Sequence, residues 1–312
     1  MQGIQQLGYS LVAAMAIVTV SAAQPEGVDA GDVPVYHSIV QAQVGEMHRY
    51  SIVQSSVVDY KGVRREDPKT VGKVEIRVLQ IEDDGPLVRW QYLEDVDGDG
   101  EQASGPPFDI WFDTAWQPVG VENPETIRAF NRGVFLRTGE SKMAAEPKYG
   151  QAELDEQMRV WEEGMDDPAE VLALAAARPA RFFFGLGWSL AVGEERVWES
   201  LDSGPFGFAI TVQNRVHAEP DERGDGVSLV WTMTQDAEEL GRQTIEMMRA
   251  ADEISGRSGV AYPKPEEFTL SETTLEYRVD PESGWMSEVR IVHQTKVGTR
   301  HESRTQVYQA IE

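Results

Sequence analysis

Apolar and polar residues alternate along several short segments of the chain, and this alternation predicts half-buried β-strands. The clearest case is Val74-Glu75-Ile76-Arg77-Val78, in which every second side chain is apolar. Similar patterns or short apolar runs mark further strands at 47–58, 87–93, 109–113, 119–122, 195–200, 208–216, 227–232, 274–279, 285–294 and 305–311. Turn residues such as Asp84-Gly85 and Asp225-Gly226 separate some of these strands. The chain is therefore predicted to be mainly antiparallel β.

Three stretches with helical periodicity interrupt the strands. Asn123-Pro124 begins the first as an N-cap followed by proline, and Gly133 is its expected end. The second covers 152–177 and is expected to end at Arg178-Pro179. The third covers 238–254 and carries apolar residues at successive turns. We expect these helices to cover the sheet.

One short phrase occurs twice, as Val44-Gly45-Glu46 and as Val192-Gly193-Glu194, with Tyr50 and Trp198 following. Each copy opens a similar order of strands, which predicts a duplicated β-unit whose valines enter the core and whose glycines form turns. The fold class is predicted to be α+β, with two pseudo-repeated curved sheets or one large half-barrel and capping helices. The predicted parts are a signal peptide (1–23), a first β-unit with a short helix (24–142), a helical connector (143–187), and a second β-unit (188–312) with an inserted helix (238–254).

The first residues have the composition of an export signal. Residues 1–24 contain no Asp, Glu, Lys or Arg, and an apolar stretch at 11–20 leads into Ser21-Ala22-Ala23. This order predicts cleavage after Ala22 or Ala23. An uncleaved anchor is the alternative, but the stretch is shorter than the ~20 residues that a spanning helix needs. We expect a periplasmic or extracellular protein with no integral membrane span after cleavage.

Charge and cysteine content narrow the function classes. The chain has a formal net charge of -25, which disfavours nucleic-acid binding because that binding needs clustered Lys and Arg. The acidity fits solubility, or the attraction of cations and basic partners. The chain has no cysteine, so neither disulfides nor lipid attachment through cysteine can contribute.

One acidic segment has the beginning of a calcium loop. Side-chain oxygens alternate along Asp95-Val96-Asp97-Gly98-Asp99-Gly100, and Glu101 follows. Pro106-Pro107 excludes the exiting helix of an EF-hand. The candidate Ca²⁺ ligands are therefore Asp95, Asp97, Asp99 and Glu101, and the alternative is a solvated acidic loop. No other cofactor is predicted, and calorimetry with Ca²⁺ tests the site.

Motifs for catalysis are incomplete. Gly187-Trp188-Ser189-Leu190-Ala191 begins like a nucleophile elbow but ends in alanine and precedes a predicted strand rather than a helix. The histidines lack the spacing of a zinc helix. His293 and His301 lie on adjacent predicted strands, where they meet across a turn or are simply surface residues. We find no catalytic residues, and a non-enzymatic role is favoured over a hydrolase with an unrecognised site.

Aromatic residues leave two interpretations open. Trp111 and Trp116 flank a predicted hairpin, where they either stack on sugar rings or belong to the core. The run Phe182-Phe183-Phe184 either lines a cavity for acyl chains or is fully buried. If the tryptophans stack on sugar rings, the chain is a calcium-assisted carbohydrate-binding module. If the phenylalanines line a cavity, the chain is a carrier of apolar ligands.

The order of strands and helices resembles uncharacterised exported β-proteins of bacterial envelopes. The features that carry the resemblance are the two Val-Gly-Glu phrases, the capping helices and the late hairpin from Tyr277 to Gly284. The architecture is also similar to lipoprotein carriers of the LolA and LolB type, in which helices close a curved sheet over a hydrophobic cavity. The resemblance carries over no binding residue. The export signal, the duplicated units, the Met-bearing helix at 238–254 and the absence of a catalytic constellation favour an exported, non-enzymatic envelope protein that binds an apolar ligand or a protein partner.

Overall fold

The computed structural model describes residues 33–67, 69–96, 100–145, 150–203, 209–221, 226–254 and 261–311. The predicted signal peptide, residues 1–23, lies outside this described part. The strands are β1 (Val35–His37), β2 (Met47–Tyr60), β3 (Val63–Glu66), β4 (Thr70–Glu82), β5 (Gly85–Val96), β6 (Gly100–Ala103), β7 (Phe108–Phe112), β8 (Pro118–Val121), β9 (Ser189–Ala191), β10 (Glu195–Ser203), β11 (Ala209–Pro220), β12 (Val227–Gln235), β13 (Phe268–Val279), β14 (Met286–Val297) and β15 (Arg300–Ile311). The helices are α1 (Pro124–Ala145), α2 (Gln151–Met165), α3 (Pro168–Phe183) and α4 (Ala237–Ile254), and a short 3-10 turn covers Pro265–Glu267.

One large antiparallel sheet dominates the fold. Thirteen strands of the described part join it, in the order β10-β11-β12-β13-β14-β15-β2-β4-β5-β7-β8, with β3 beside β2 and β6 beside β5. The two predicted β-units meet where β15 pairs with β2, from Arg300 opposite Tyr60 to Ile311 opposite Arg49. The predicted α+β class with mainly antiparallel strands is confirmed, and the units share one sheet rather than forming two.

Helix α3 packs on one face of this sheet, which we call the inner face and which carries Tyr50, Trp90, Tyr277 and Tyr308, each 0–1% exposed. The end of α3 supplies the run Phe182-Phe183-Phe184. The Phe182 ring lies 4.9 Å from that of Tyr50, 5.3 Å from that of Trp90 and 5.5 Å from that of Tyr308. Phe182 and Phe183 are both 0% exposed and Phe184 is half-buried, so the buried alternative applies to the first two residues of the run.

Helix α1 is longer than predicted, because it continues through Gly133 to Ala145. A glycine inside a helix costs only ~1 kcal/mol relative to alanine, so packing can override it. Gly139 shows where that packing occurs, since a Cβ there would lie 2.2 Å from the Leu154 side chain of α2. Gly139 therefore lies in a close contact between α1 and α2.

Helix α3 also passes its predicted end, because Pro179 lies inside it. An internal proline costs roughly 3 kcal/mol, since it removes a hydrogen bond and crowds the preceding turn. Phe182 and Phe183 are buried because the helix continues past Pro179. Burying one phenylalanine side chain stabilises the fold by about 1.5–3 kcal/mol. Two such side chains offset the cost of the proline.

The two Val-Gly-Glu phrases form the same turn. Gly45 has φ +87° and Gly193 has φ +90°, a conformation that favours glycine. In each copy the glutamate carboxylate accepts a backbone N–H three residues earlier, Gln43 for Glu46 and Ala191 for Glu194, both at 2.9 Å. The prediction that Val44 enters the core is wrong, because Val44 is 65% exposed beside the turn.

Four buried tyrosines should make the folded protein less stable at alkaline pH. Burial raises the pKa of Tyr36, Tyr50, Tyr277 and Tyr308 above the usual value. The hydroxyls of Tyr36 and Tyr50 donate to the carbonyls of Gly185 and Met286 at 2.8 and 2.9 Å. The folded chain thus keeps protons that the unfolded chain releases above pH ~10.

The stability that these tyrosines contribute is complete below pH ~10 and is lost as the pH rises further. We expect the free energy of unfolding, measured with denaturant, to fall steeply from pH ~10 upward. Tyr36→Phe should flatten that fall, whereas Tyr60→Phe, at a half-exposed tyrosine, should leave it unchanged. A stability that is constant across this pH range would contradict the prediction.

Candidate functional site

The predicted calcium segment begins at the end of β5 and ends at the start of β6. Asp97 and Asp99 lie outside the described residues, whereas Asp95 and Glu101 stand directly opposite each other in the strand register. The hairpin therefore brings the two ends of the acidic segment together. In the described ranges, no three His, Cys, Asp or Glu side chains are arranged to hold a metal. The calcium site stays a prediction.

The two tryptophans of the β7–β8 hairpin have separate environments. Trp116 is 6% exposed and stacks on Phe183, with ring centroids 5.2 Å apart. Trp111 is half-buried, and its indole N–H donates to Glu122 at 2.9 Å. The core interpretation is therefore confirmed for Trp116, and the pair does not form an exposed platform for sugar stacking.

The incomplete catalytic motifs do not converge on one site. Ser189 begins strand β9, so the turn of a nucleophile elbow is not formed there. Ser189 stands opposite His37 in the β1–β9 pair, and both residues are exposed. The structure also separates the two predicted histidines, since His293 pairs with Arg304 whereas His301 pairs with Lys296. Because Arg304 and His301 are three positions apart on one strand, His293 and His301 lie on opposite faces of the sheet.

A cavity of about 220 Å³ lies on the inner face, beside the last turn of α3. One helix residue and six residues from the four neighbouring strands β11–β14 line it: Arg181, Val212, Met233, Gln235, Thr273, Ile291 and His293. Val212 and Met233 are buried, whereas Arg181 and His293 are half-buried, so the cavity is reached from solvent. Three apolar side chains, Val212, Met233 and Ile291, thus share the lining with four polar ones, so the cavity offers an apolar wall together with several hydrogen-bonding groups.

The polar side of the cavity is set by His293 and Arg181. The Thr273 hydroxyl and the His293 Nδ1 atom lie 2.9 Å apart. The pKa of His293 is lowered, first by burial, then by the positive charges of Arg181 and Arg304, while the Glu302 carboxylate acts in the opposite direction. His293 is therefore a neutral imidazole at neutral pH, and Arg181 supplies the cationic group of the lining.

Sequence patterns contain weak signals for this site. His293 follows Val289 and Ile291 at every second position of its strand, which places it on the inner face. Arg181 is a charged residue directly before an apolar aromatic run. Neither signal separates a ligand site from an ordinary sheet, because the cavity depends on strands β11–β14 lying side by side under the end of α3.

Among the helices within the described ranges, none has both the length and the apolar character needed to cross a bilayer. No protein-family model and no curated protein matches the chain. Among solved structures, the chain is similar to lipovitellin, in a structure concerned with lipid–protein interactions, at a TM-score of 0.35 and 11% sequence identity. The match covers 86% of this chain and 25% of that one, so the chain spans about a quarter of the lipovitellin chain. We draw no functional conclusion from a likeness at this TM-score.

Proposed function

We propose that this chain is an exported, non-enzymatic binding protein that holds a small apolar ligand in the cavity beside Arg181. Export is proposed from the uncharged apolar leader that ends in Ser21-Ala22-Ala23. The observation that carries ligand binding is the cavity itself, because a site next to a densely packed aromatic core is left unfilled by side chains. The duplication of the β-unit stays a prediction, which the matching turns at Gly45 and Gly193 support.

The size of the cavity limits the ligand. A volume of about 220 Å³ corresponds to roughly seven water molecules at ~30 Å³ each. It is smaller than the ~300–1,000 Å³ of typical sites for drug-sized ligands. The site therefore suits a small molecule or one end of a longer aliphatic chain. Val212, Met233 and Ile291 supply the apolar wall against which such a chain packs.

Filling the cavity tests the proposal. Val212→Phe places a phenyl ring on the cavity wall, and we expect binding of the apolar probe N-phenylnaphthylamine to weaken by about tenfold or more because the space is occupied. Val197→Phe is the matched control, since Val197 lies on the adjacent strand β10 and is 51% exposed, against 2% for Val212. Probe fluorescence gives the affinity, and circular dichroism checks that both variants are folded.

Two results would count against the proposal. The first is wild-type protein that does not bind the probe saturably and yields no apolar compound in organic extracts analysed by mass spectrometry. The second is equal affinity in both folded variants, which would place the probe elsewhere. A role in binding a protein partner of the envelope would then be the better hypothesis.

A further inference from the structure

Arg181 carries a buried hydrogen-bond donor, the Nε atom of its guanidinium. The Nε atom of its guanidinium is buried and makes no hydrogen bond among the described residues. A buried donor on a charged group is costly when it is left unpaired, so the arrangement calls for an explanation. The backbone carbonyl of Arg181 accepts the Tyr277 hydroxyl at 2.6 Å, which fixes the last turn of α3 and holds the side chain at the cavity.

The surroundings of this guanidinium favour an anion. None of the seven described lining residues is an aspartate or a glutamate, although the chain has a formal net charge of -25. Arg304 stands opposite His293 on β15 and also lowers the pKa of His293. The carboxylate of Glu302 acts in the opposite direction on the pKa of His293, and it is paired with Arg304 at 2.6 Å.

We propose that the cavity binds an aliphatic carboxylate, with its anionic head on Arg181 and its tail against Val212, Met233 and Ile291. This inference rests on the proposed function and names the chemical class of the ligand. Guanidinium and carboxylate are matched in geometry, and a charge-assisted hydrogen bond is about twice as strong as a neutral one. The bound carboxylate pairs with the guanidinium of Arg181, which lines the cavity.

His293 provides a second readout. The groups that face it are Arg181 on α3, Thr273 on β13, and Arg304 and Glu302 on β15. A carboxylate bound to Arg181 offsets the positive charge that disfavours a protonated imidazole, so the pKa of His293 rises on binding. By linkage, the affinity for the carboxylate increases as the pH falls through the pKa of His293.

Displacement of the fluorescent probe by octanoate and, separately, by octanol tests the inference, because these two compounds share an aliphatic tail and differ in charge. We expect octanoate to displace N-phenylnaphthylamine at roughly tenfold lower concentration than octanol, the preference that one charge-assisted hydrogen bond supplies. Arg181→Gln should abolish this preference, because octanoate loses its cationic partner. Arg215→Gln is the matched control on the outer face, where Arg215 is 58% exposed and contacts Glu195.

The outcomes separate the two proposals. If both compounds bind equally, or if Arg181→Gln keeps the preference, the carboxylate is wrong while the apolar site stands. If neither compound displaces the probe, the proposed function itself fails. A proton NMR titration that shows the His293 pKa rising with octanoate, but not with octanol, would support the carboxylate independently, and an unchanged pKa with octanoate would overturn it.

Discussion

Replacing Phe183 by alanine is expected to lower the free energy of unfolding by ~3–5 kcal/mol, the cost typical of truncating a buried aromatic residue. Phe183 is 0% exposed and contacts the rings of Phe112, Trp116 and Trp90 at centroid distances of 4.9, 5.2 and 6.1 Å. Its removal leaves a cavity between α3 and the inner face that rigid neighbours cannot fill. For a chain of this size the melting temperature should fall on the order of 10 °C.

Phe135→Ala is the matched control for this prediction. Phe135 is half-buried on α1 and contacts Trp161 with ring centroids 6.0 Å apart, so its truncation should cost roughly 1 kcal/mol. Thermal and denaturant unfolding measure both variants. If Phe183→Ala does not fold, Phe183→Leu provides the measurement, with a smaller loss of the same sign. Equal losses at the two positions would mean that α3 is not the centre of the core.

Replacing Gly85 by alanine is expected to cost roughly 3 kcal/mol or more, through backbone strain and overpacking together. Gly85 has φ +143°, and a Cβ there would lie 2.0 Å from the backbone oxygen of Phe112. A backbone atom cannot move aside as a flexible side chain does. Strands β5 and β7 must therefore move apart. This movement disorders the β7–β8 hairpin, which contains Trp116.

The second half of the chain supplies the control. Gly226 follows an aspartate and precedes β12, as Gly85 follows an aspartate and begins β5, but a Cβ at Gly226 meets no described atom within 4 Å. Gly226→Ala should therefore change the stability by less than about 0.5 kcal/mol. Denaturant unfolding of both variants gives the comparison. A large loss at Gly226, or a small one at Gly85, would contradict the described packing of these turns.

Local patterns predict the strands of this protein well. Val74, Ile76 and Val78 alternate with charged residues, and all three are 0–1% exposed on one face of β4. The hairpin of β13 and β14 follows from the turn residues Asp280 to Gly284, whose backbone Gly284 N–H bonds to the Asp280 carbonyl at 2.8 Å. These features depend on neighbours in the sequence, so alternation and turn chemistry are sufficient to find them.

Non-local contacts account for what the patterns miss. The joining of the two β-units requires β15 to pair with β2, and no short-range signal specifies that pairing. The ends of α1 and α3 are set by packing that overrides Gly133 and Pro179. Arg181 and His293 are 112 positions apart in the sequence, and only the folded chain brings them to one cavity. Sequence patterns alone therefore could not predict the cavity.

Methyl NMR of methionine-labelled protein tests the central claim, that the inner-face cavity holds an apolar ligand, most directly. Met233 is 7% exposed and lines the cavity, whereas Met47 is 43% exposed and does not. Met233→Leu assigns the resonance. We predict that octanol shifts the Met233 methyl and gives nuclear Overhauser contacts to it, while the Met47 methyl is unchanged. An unshifted Met233 methyl at octanol concentrations that displace the apolar probe would contradict the account.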